Sequence, residues 1–155
     1  MASFEIIGGN KLKGELVPQG AKNESLQILC AVLLTPEKVT VSNIPNIRDV
    51  NKLIDLLRDL GVKVKQLTED TYEFIADDVD LEHLHSPEYK KKGSGLRGSI
   101  MVVGPMLGRF GKGYIPQPGG DKIGRRRLDT HFIGFQKLGA KFEYIAEEQF
   151  YKVEA

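Results

Sequence analysis

The chain has no tryptophan, one cysteine (Cys30) and only 8% aromatic residues over its 155 positions. A single cysteine cannot form an internal disulfide, which excludes a secreted, disulfide-stapled scaffold and favours a reducing compartment. No apolar run comes near the ~20 residues a membrane span requires. The N-terminal stretch MASFEIIGGN carries Glu5 inside its apolar segment and does not read as a signal peptide. Net charge is also nearly lacking, since 22 Lys+Arg face 21 Asp+Glu for a formal +1. A duplex-binding protein usually shows a strongly positive balance, so a nucleic-acid partner is disfavoured. What remains, at 41% hydrophobic, is a globular chain long enough to bury a core, expected to be soluble and cytoplasmic.

The near-zero balance hides a segregation. Residues 1–89 carry 9 basic and 15 acidic side chains, residues 90–127 carry 10 basic and only Asp121 acidic, and residues 128–155 carry 3 and 5. The middle block also holds 10 of the 17 glycines. Arginine and lysine bring charge to an anion, and glycine lets backbone N–H groups approach it. A small phosphorylated or carboxylated ligand fits this block better than a duplex. Lys90–Lys92 alone read as a solvated surface run.

Periodicity predicts short strands at Phe4–Ile7 and Gly14–Val17, then a helix over Lys22–Leu34 that is apolar nearly all round after its first turn. A strand at Val39–Ser42, an amphipathic helix over Asp49–Leu60 capped by Gly61, and strands at Val62–Val64 and Tyr72–Ile75 follow. The order helix, strand, helix, strand, strand then recurs. Leu96–Leu107 is the second buried helix, Gly113–Pro116 a strand, Leu128–Leu138 an amphipathic helix, and Lys141–Tyr144 and Phe150–Val153 a last strand pair. The shared Leu-Gly-x-Lys at Leu60–Lys63 and Leu138–Lys141, 78 positions apart, points to an internal repeat whose units complete one another's core. A chain stopping two residues after that last pair is expected to be truncated.

Three segments carry a specific resemblance: Gly20-Ala21-Lys22-Asn23 before the first buried helix, Leu96-Arg97-Gly98-Ser99-Ile100, and Pro118-Gly119-Gly120-Asp121-Lys122-Ile123-Gly124-Arg125-Arg126-Arg127-Leu128-Asp129-Thr130-His131. Their order and spacing resemble the enolpyruvyl transferases of cell-wall synthesis, the UDP-N-acetylglucosamine 1-carboxyvinyltransferases. The likeness covers less than half of a complete family member. It implies an α/β (α+β) fold of repeated small α/β units with buried helices and outer sheets, like an inside-out barrel and incomplete here. On that scheme residues 1–20 are strands of an otherwise missing second domain, and 21–155 form a partial first domain of about two repeats.

The resemblance further implies transfer of the enolpyruvyl group of phosphoenolpyruvate to the 3′-hydroxyl of UDP-N-acetylglucosamine with release of phosphate, the committed step toward peptidoglycan. It implies neither metal nor cofactor. The partners it implies are these two substrates and the remainder of the parent chain, with no membrane and no nucleic acid. Adding an alcohol to C2 needs a proton at C3, a base on the hydroxyl, and cations around carboxylate and phosphate. By resemblance Lys22 and Asn23 contact phosphoenolpyruvate, with Lys22 stabilising developing charge. Arg97 contacts the UDP-sugar, and Arg126, Arg127, Leu128, Asp129 and Thr130 line its pocket. Without the resemblance, Asn23 reads as a plain helix N-cap, Asp129 as a first-turn carboxylate, and His131 and Cys30 as structural.

Two positions depart from the family pattern. Arg127 stands where most members have proline. Asp121 stands where most have a cysteine, the general acid that fosfomycin alkylates, and a minority share the aspartate. The hydroxyl base is expected beyond Ala155, so the 155-residue chain is expected to show no turnover by itself. Two other readings stay open. One is the related shikimate-pathway transfer, which the form of the Pro118–Arg126 segment disfavours. The other is a non-catalytic anion- or RNA-binding module using Arg125–Arg127, disfavoured because no aromatic residues are interleaved with the basic block.

Overall fold

A computed structural model of the protein describes residues 3–119 and 127–155. Two α/β units follow one another, each ending in a three-stranded antiparallel sheet. The first comprises α1 (Lys22–Ala31), a 3₁₀ turn Val32–Leu34, β1 (Lys38–Val41), α2 (Arg48–Asp59), β2 (Lys63–Gln66) and β3 (Tyr72–Ile75). The second comprises a 3₁₀ turn Glu82–His85, α3 (Pro87–Ser94), a 3₁₀ stretch Arg97–Val102, α4 (Val103–Phe110), β4 (Lys112–Pro116), α5 (Asp129–Lys137), β5 (Lys141–Ile145) and β6 (Phe150–Glu154). The sheet orders are β1-β3-β2 and β4-β6-β5, so in both units the last strand lies between the other two.

The repeat extends to the residues that terminate the helices. Gly61 (φ +89°) and Gly139 (φ +96°) hold the left-handed position after α2 and α5, where an L side chain is strained. The N–H groups of Val62 and Ala140 then bond back to Leu57 and Phe135 by the same pattern. One turn differs. Gln66 pairs with Tyr72 in the first sheet and Tyr144 with Tyr151 in the second, so the second hairpin holds one more residue between equivalent pairs.

Buried aliphatic side chains from α1, the Val32–Leu34 turn, α2 and α4 form the middle of the core, with Leu29, Leu33, Leu53, Leu57 and Val103 fully shielded. Each such side chain contributes roughly 1.5–3 kcal/mol relative to an exposed one. Phe74 and Val153 close the core from the two sheets, and the strands carry their exposed residues outward. The Arg109 guanidinium ties the units together, donating to the carbonyls of Leu33 (3.1 Å) and Ala76 (2.7 Å). This arginine of the basic block therefore serves the fold.

Residues 3–20 form no strand here, and Phe4, Ile6, Ile7, Leu12, Leu16 and Val17 are all exposed. A strand exists only when paired, and the partner expected for this segment is a second domain. Several other expectations are corrected. The first helix tightens into 3₁₀ geometry at Val32, and its apolar surface is not wholly covered, since Ile28 and Leu34 stay exposed. The Leu96–Leu107 helix is split into 3₁₀ and α pieces, with Pro105 in the first turn of α4, where its missing N–H costs nothing. An unforeseen helix, α3, begins at Ser86, whose hydroxyl accepts from the Tyr89 N–H. It sends Tyr89 fully into the core, while Lys90 lies over the Phe150 ring and Lys92 pairs with Asp59.

Candidate functional site

The start of α1, the start of the Arg97–Val102 stretch and the entry to α5 carry the residues singled out by sequence. Ala21, not Asn23, is the N-cap of α1, so Lys22 and Asn23 are its first two helical residues. Their backbone N–H groups have no partner four residues back, which leaves donors and the positive end of the dipole facing outward. Gly20 is required for this approach, because a Cβ there would meet the Asn43 carbonyl oxygen at 2.0 Å. Lys22 Nζ pairs with Asp49 Oδ2 at the start of α2 at 3.1 Å, with both groups about two-fifths exposed (43% and 41%).

The stretch that Arg97 opens packs on α1. Leu26 of α1 would lie 3.1 Å from a Cβ at Gly98, so the glycine allows a close approach between the two elements. Arg97 Nη2 in turn donates to the Arg127 carbonyl at 3.4 Å. Arg127 forks onto Asp129 through Nε (3.0 Å to Oδ1) and Nη2, and that carboxylate holds the guanidinium pKa above its ordinary value. The fixed geometry of this pair matters more than its energy at an exposed site. Gly119, first glycine of the Pro-Gly-Gly motif, sits where a Cβ would collide with the Ser94 carbonyl.

Arg97, Arg127, Leu128 and Asp129 line one cavity of about 580 Å³. Lys22 and Asn23 do not line it, nor does Thr130, the exposed second residue of α5. Leu128 is the N-cap of α5 and Asp129 its first-turn carboxylate. His131 is exposed on the same helix. Asp121 and Arg126 lie outside the described residues.

The cavity also has a wall that the sequence did not announce. Phe132, Phe142, Tyr144 and Tyr151 line it, with ring centroids 4.3 Å apart for Phe132–Phe142, 4.8 Å for Phe132–Tyr151 and 5.0 Å for Tyr144–Tyr151. Burial holds the Tyr151 hydroxyl above its ordinary pKa, reinforced by Tyr144 and opposed by the nearby Arg97 charge. Alternation in β5 and β6 was the available signal, since Phe142, Tyr144 and Tyr151 fall on cross-strand positions. Aromatic residues do therefore adjoin the arginines in space, although not along the chain.

Cys30 is 1% exposed, and burial pushes its thiol up to about 12 from an ordinary 9.0. Native protein at pH 8 is expected to leave this thiol unreacted with an aromatic disulfide reagent for hours, with stoichiometric reaction in denaturant. Because the folded pKa lies above the unfolded one, the thiol's contribution to stability is complete below pH 9 and is lost as pH rises toward 12. Rapid labelling of the native chain would contradict this placement.

Among the described residues, no group of three or more His, Cys, Asp or Glu side chains could hold a metal ion, and no helix is long and apolar enough to cross a membrane. The model of the family EPSP synthase (3-phosphoshikimate 1-carboxyvinyltransferase) matches residues 6–155, and the chain belongs to that family. The chain is similar to the UDP-N-acetylglucosamine 1-carboxyvinyltransferases of Bacteroides fragilis (strain YCH46), with 61% identity over 155 residues, and Porphyromonas gingivalis (strain ATCC BAA-308 / W83), with 57%. Each match covers 100% of this chain and 36% of the relative, so the chain spans about a third of the length of these curated relatives. Among solved structures, the enolpyruvyl transferase NikO from Streptomyces tendae matches with TM-score 0.72 at 19% identity, over 96% of this chain and 31% of that one. That likeness establishes the α+β fold as part of the enolpyruvyl transferase architecture.

Proposed function

We propose that the protein containing this chain transfers the enolpyruvyl group of phosphoenolpyruvate to the 3′-hydroxyl of UDP-N-acetylglucosamine, releasing phosphate. On this reading it acts in the cytoplasm and commits the sugar nucleotide to peptidoglycan, hence to cell shape and division. The observation that carries the proposal is the meeting of Arg97 and Arg127, from two separated segments, at one cavity, with the Arg97–Val102 stretch packed on α1, whose first residue is Lys22. The names of the relatives supply the acceptor.

Each residue then has a task. Lys22, released from Asp49, neutralises phosphoenolpyruvate together with the open N–H groups of α1, and stabilises the charge that develops as C2 is attacked. Asn23 donates from the next position. Arg97, Arg126 and Arg127 hold the diphosphate, and Leu128, Asp129 and Thr130 frame the nucleoside. Asp121 delivers the proton to C3, which requires that loop closure over anionic ligands keep its carboxyl protonated against the lowering effect of neighbouring cations. The base for the sugar hydroxyl belongs to the part of the relatives that this chain does not span. Residues 1–20 serve as strands of the second domain there, which would cover the exposed apolar side chains of that segment.

The test is a calorimetric titration of the full-length protein with UDP-N-acetylglucosamine and, separately, with shikimate 3-phosphate, the acceptor named by the family description. Binding of the nucleotide sugar alone is expected. Binding of shikimate 3-phosphate alone would assign the protein to the other branch of the family.

A further inference from the structure

The internal repeat extends to the cavities. A shift of 78 positions carries Asn51, Ile54, Asp55 and Arg58 of α2 onto Asp129, Phe132, Ile133 and Gln136 of α5. Strand pairing carries Gln66 and Tyr72 onto Tyr144 and Tyr151. The six residues of the first unit line a cavity of about 290 Å³, and their six equivalents line the cavity of about 580 Å³ beside Arg97. The same groove occurs twice.

The two copies differ in what fills them. In the first unit the lining is polar and bonded along the groove: Asn51 Nδ2 donates to Asn46 Oδ1 at 2.9 Å, Arg58 to Asp55 at 2.9 Å, and Gln66 Nε2 to the Glu69 carbonyl at 3.3 Å. In the second unit the Asp55 and Gln66 positions carry Ile133 and Tyr144, and the cavity has about twice the volume. The Tyr144 ring is 42% exposed, its hydroxyl donates to Gln117 Oε1 at 3.4 Å, and Tyr151 supports it from behind at 5.0 Å. An exposed ring, backed by other rings and sharing a cavity with two guanidinium-bearing side chains, suits a planar base joined to a diphosphate.

We propose that Tyr144 is a specificity-determining residue of the nucleotide-sugar site, its open face stacking on the pyrimidine ring, while the equivalent groove of the first unit, smaller and with Gln66 in that place, takes no base. This rests on the proposed function. It is tested by calorimetric titration of the full-length protein with UDP and with inorganic pyrophosphate. Tyr144→Ser is expected to weaken UDP binding about tenfold and to leave pyrophosphate binding within about twofold, because only the base is unstacked. Tyr144→Phe keeps the ring and is expected to keep wild-type affinity, and Gln66→Ala in the first unit is expected to change nothing. Equal UDP affinity in wild type and Tyr144→Ser overturns the stacking role, and so does an equal loss in Tyr144→Phe, which would assign the role to the Gln117 hydrogen bond. A wild-type protein that binds neither UDP nor UDP-N-acetylglucosamine overturns the proposed function itself.

Discussion

Fosfomycin is expected to leave the full-length protein active and unmodified at concentrations that inactivate relatives bearing cysteine at the Asp121 position. The drug reacts by epoxide opening, and a carboxylate is a far poorer nucleophile toward it than a thiolate. No other thiol of this chain takes over. Cys30 is buried in the core with its pKa raised to about 12, so at neutral pH it is neutral as well as inaccessible. The converse variant is the sharper arm. Asp121→Cys restores a low-pKa nucleophile beside Lys122 and Arg125–Arg127 and is expected to convert a drug-insensitive enzyme into one inactivated with formation of one covalent adduct. Intact mass and residual activity read both outcomes, and a wild-type adduct on Asp121 would refute the assignment.

Lys22→Ala is expected to lower kcat by about 10²–10³, the scale of removing one preorganised donor from developing negative charge. The fold should not register the change, because the Lys22–Asp49 pair is two-fifths exposed and such pairs are worth at most about 1 kcal/mol. Thermal unfolding of the variant is therefore expected to match wild type while turnover collapses. Asp49→Asn provides the internal control. It removes the same ion pair but keeps the ammonium, so activity is expected to stay within a few-fold. Activity of Lys22→Ala near the wild-type level would remove the lysine from the mechanism.

Much of this architecture was legible in the sequence because it repeats. The Leu-Gly-x-Lys signature marks two helix C-caps with left-handed glycines, and the strand pair after each follows from simple alternation. The boundaries of Tyr72–Ile75 and the start of Phe150–Glu154 needed no tertiary information. Helix α3 was hidden because its one buried anchor, Tyr89, stands beside Lys90–Lys92, and a run of charge masks a single inward residue. The strands expected in residues 3–20 have a suitable pattern, but a strand's stability resides in its partner, and theirs was assigned to a second domain. Of the candidate site, Arg97 and Arg127, which share the cavity, were legible through their motifs. The aromatic wall was not, since Phe132, Phe142, Tyr144 and Tyr151 converge only when α5 folds onto β5 and β6.

The central claim is that separated cations converge to hold two anionic metabolites, one of them a nucleotide sugar, for vinyl transfer. Phosphate release from phosphoenolpyruvate by the full-length protein, followed with each candidate acceptor, tests it most directly. Turnover is expected with UDP-N-acetylglucosamine, and none above background with shikimate 3-phosphate. Turnover with shikimate 3-phosphate, or no turnover with either and steeply salt-dependent affinity for RNA, would contradict it.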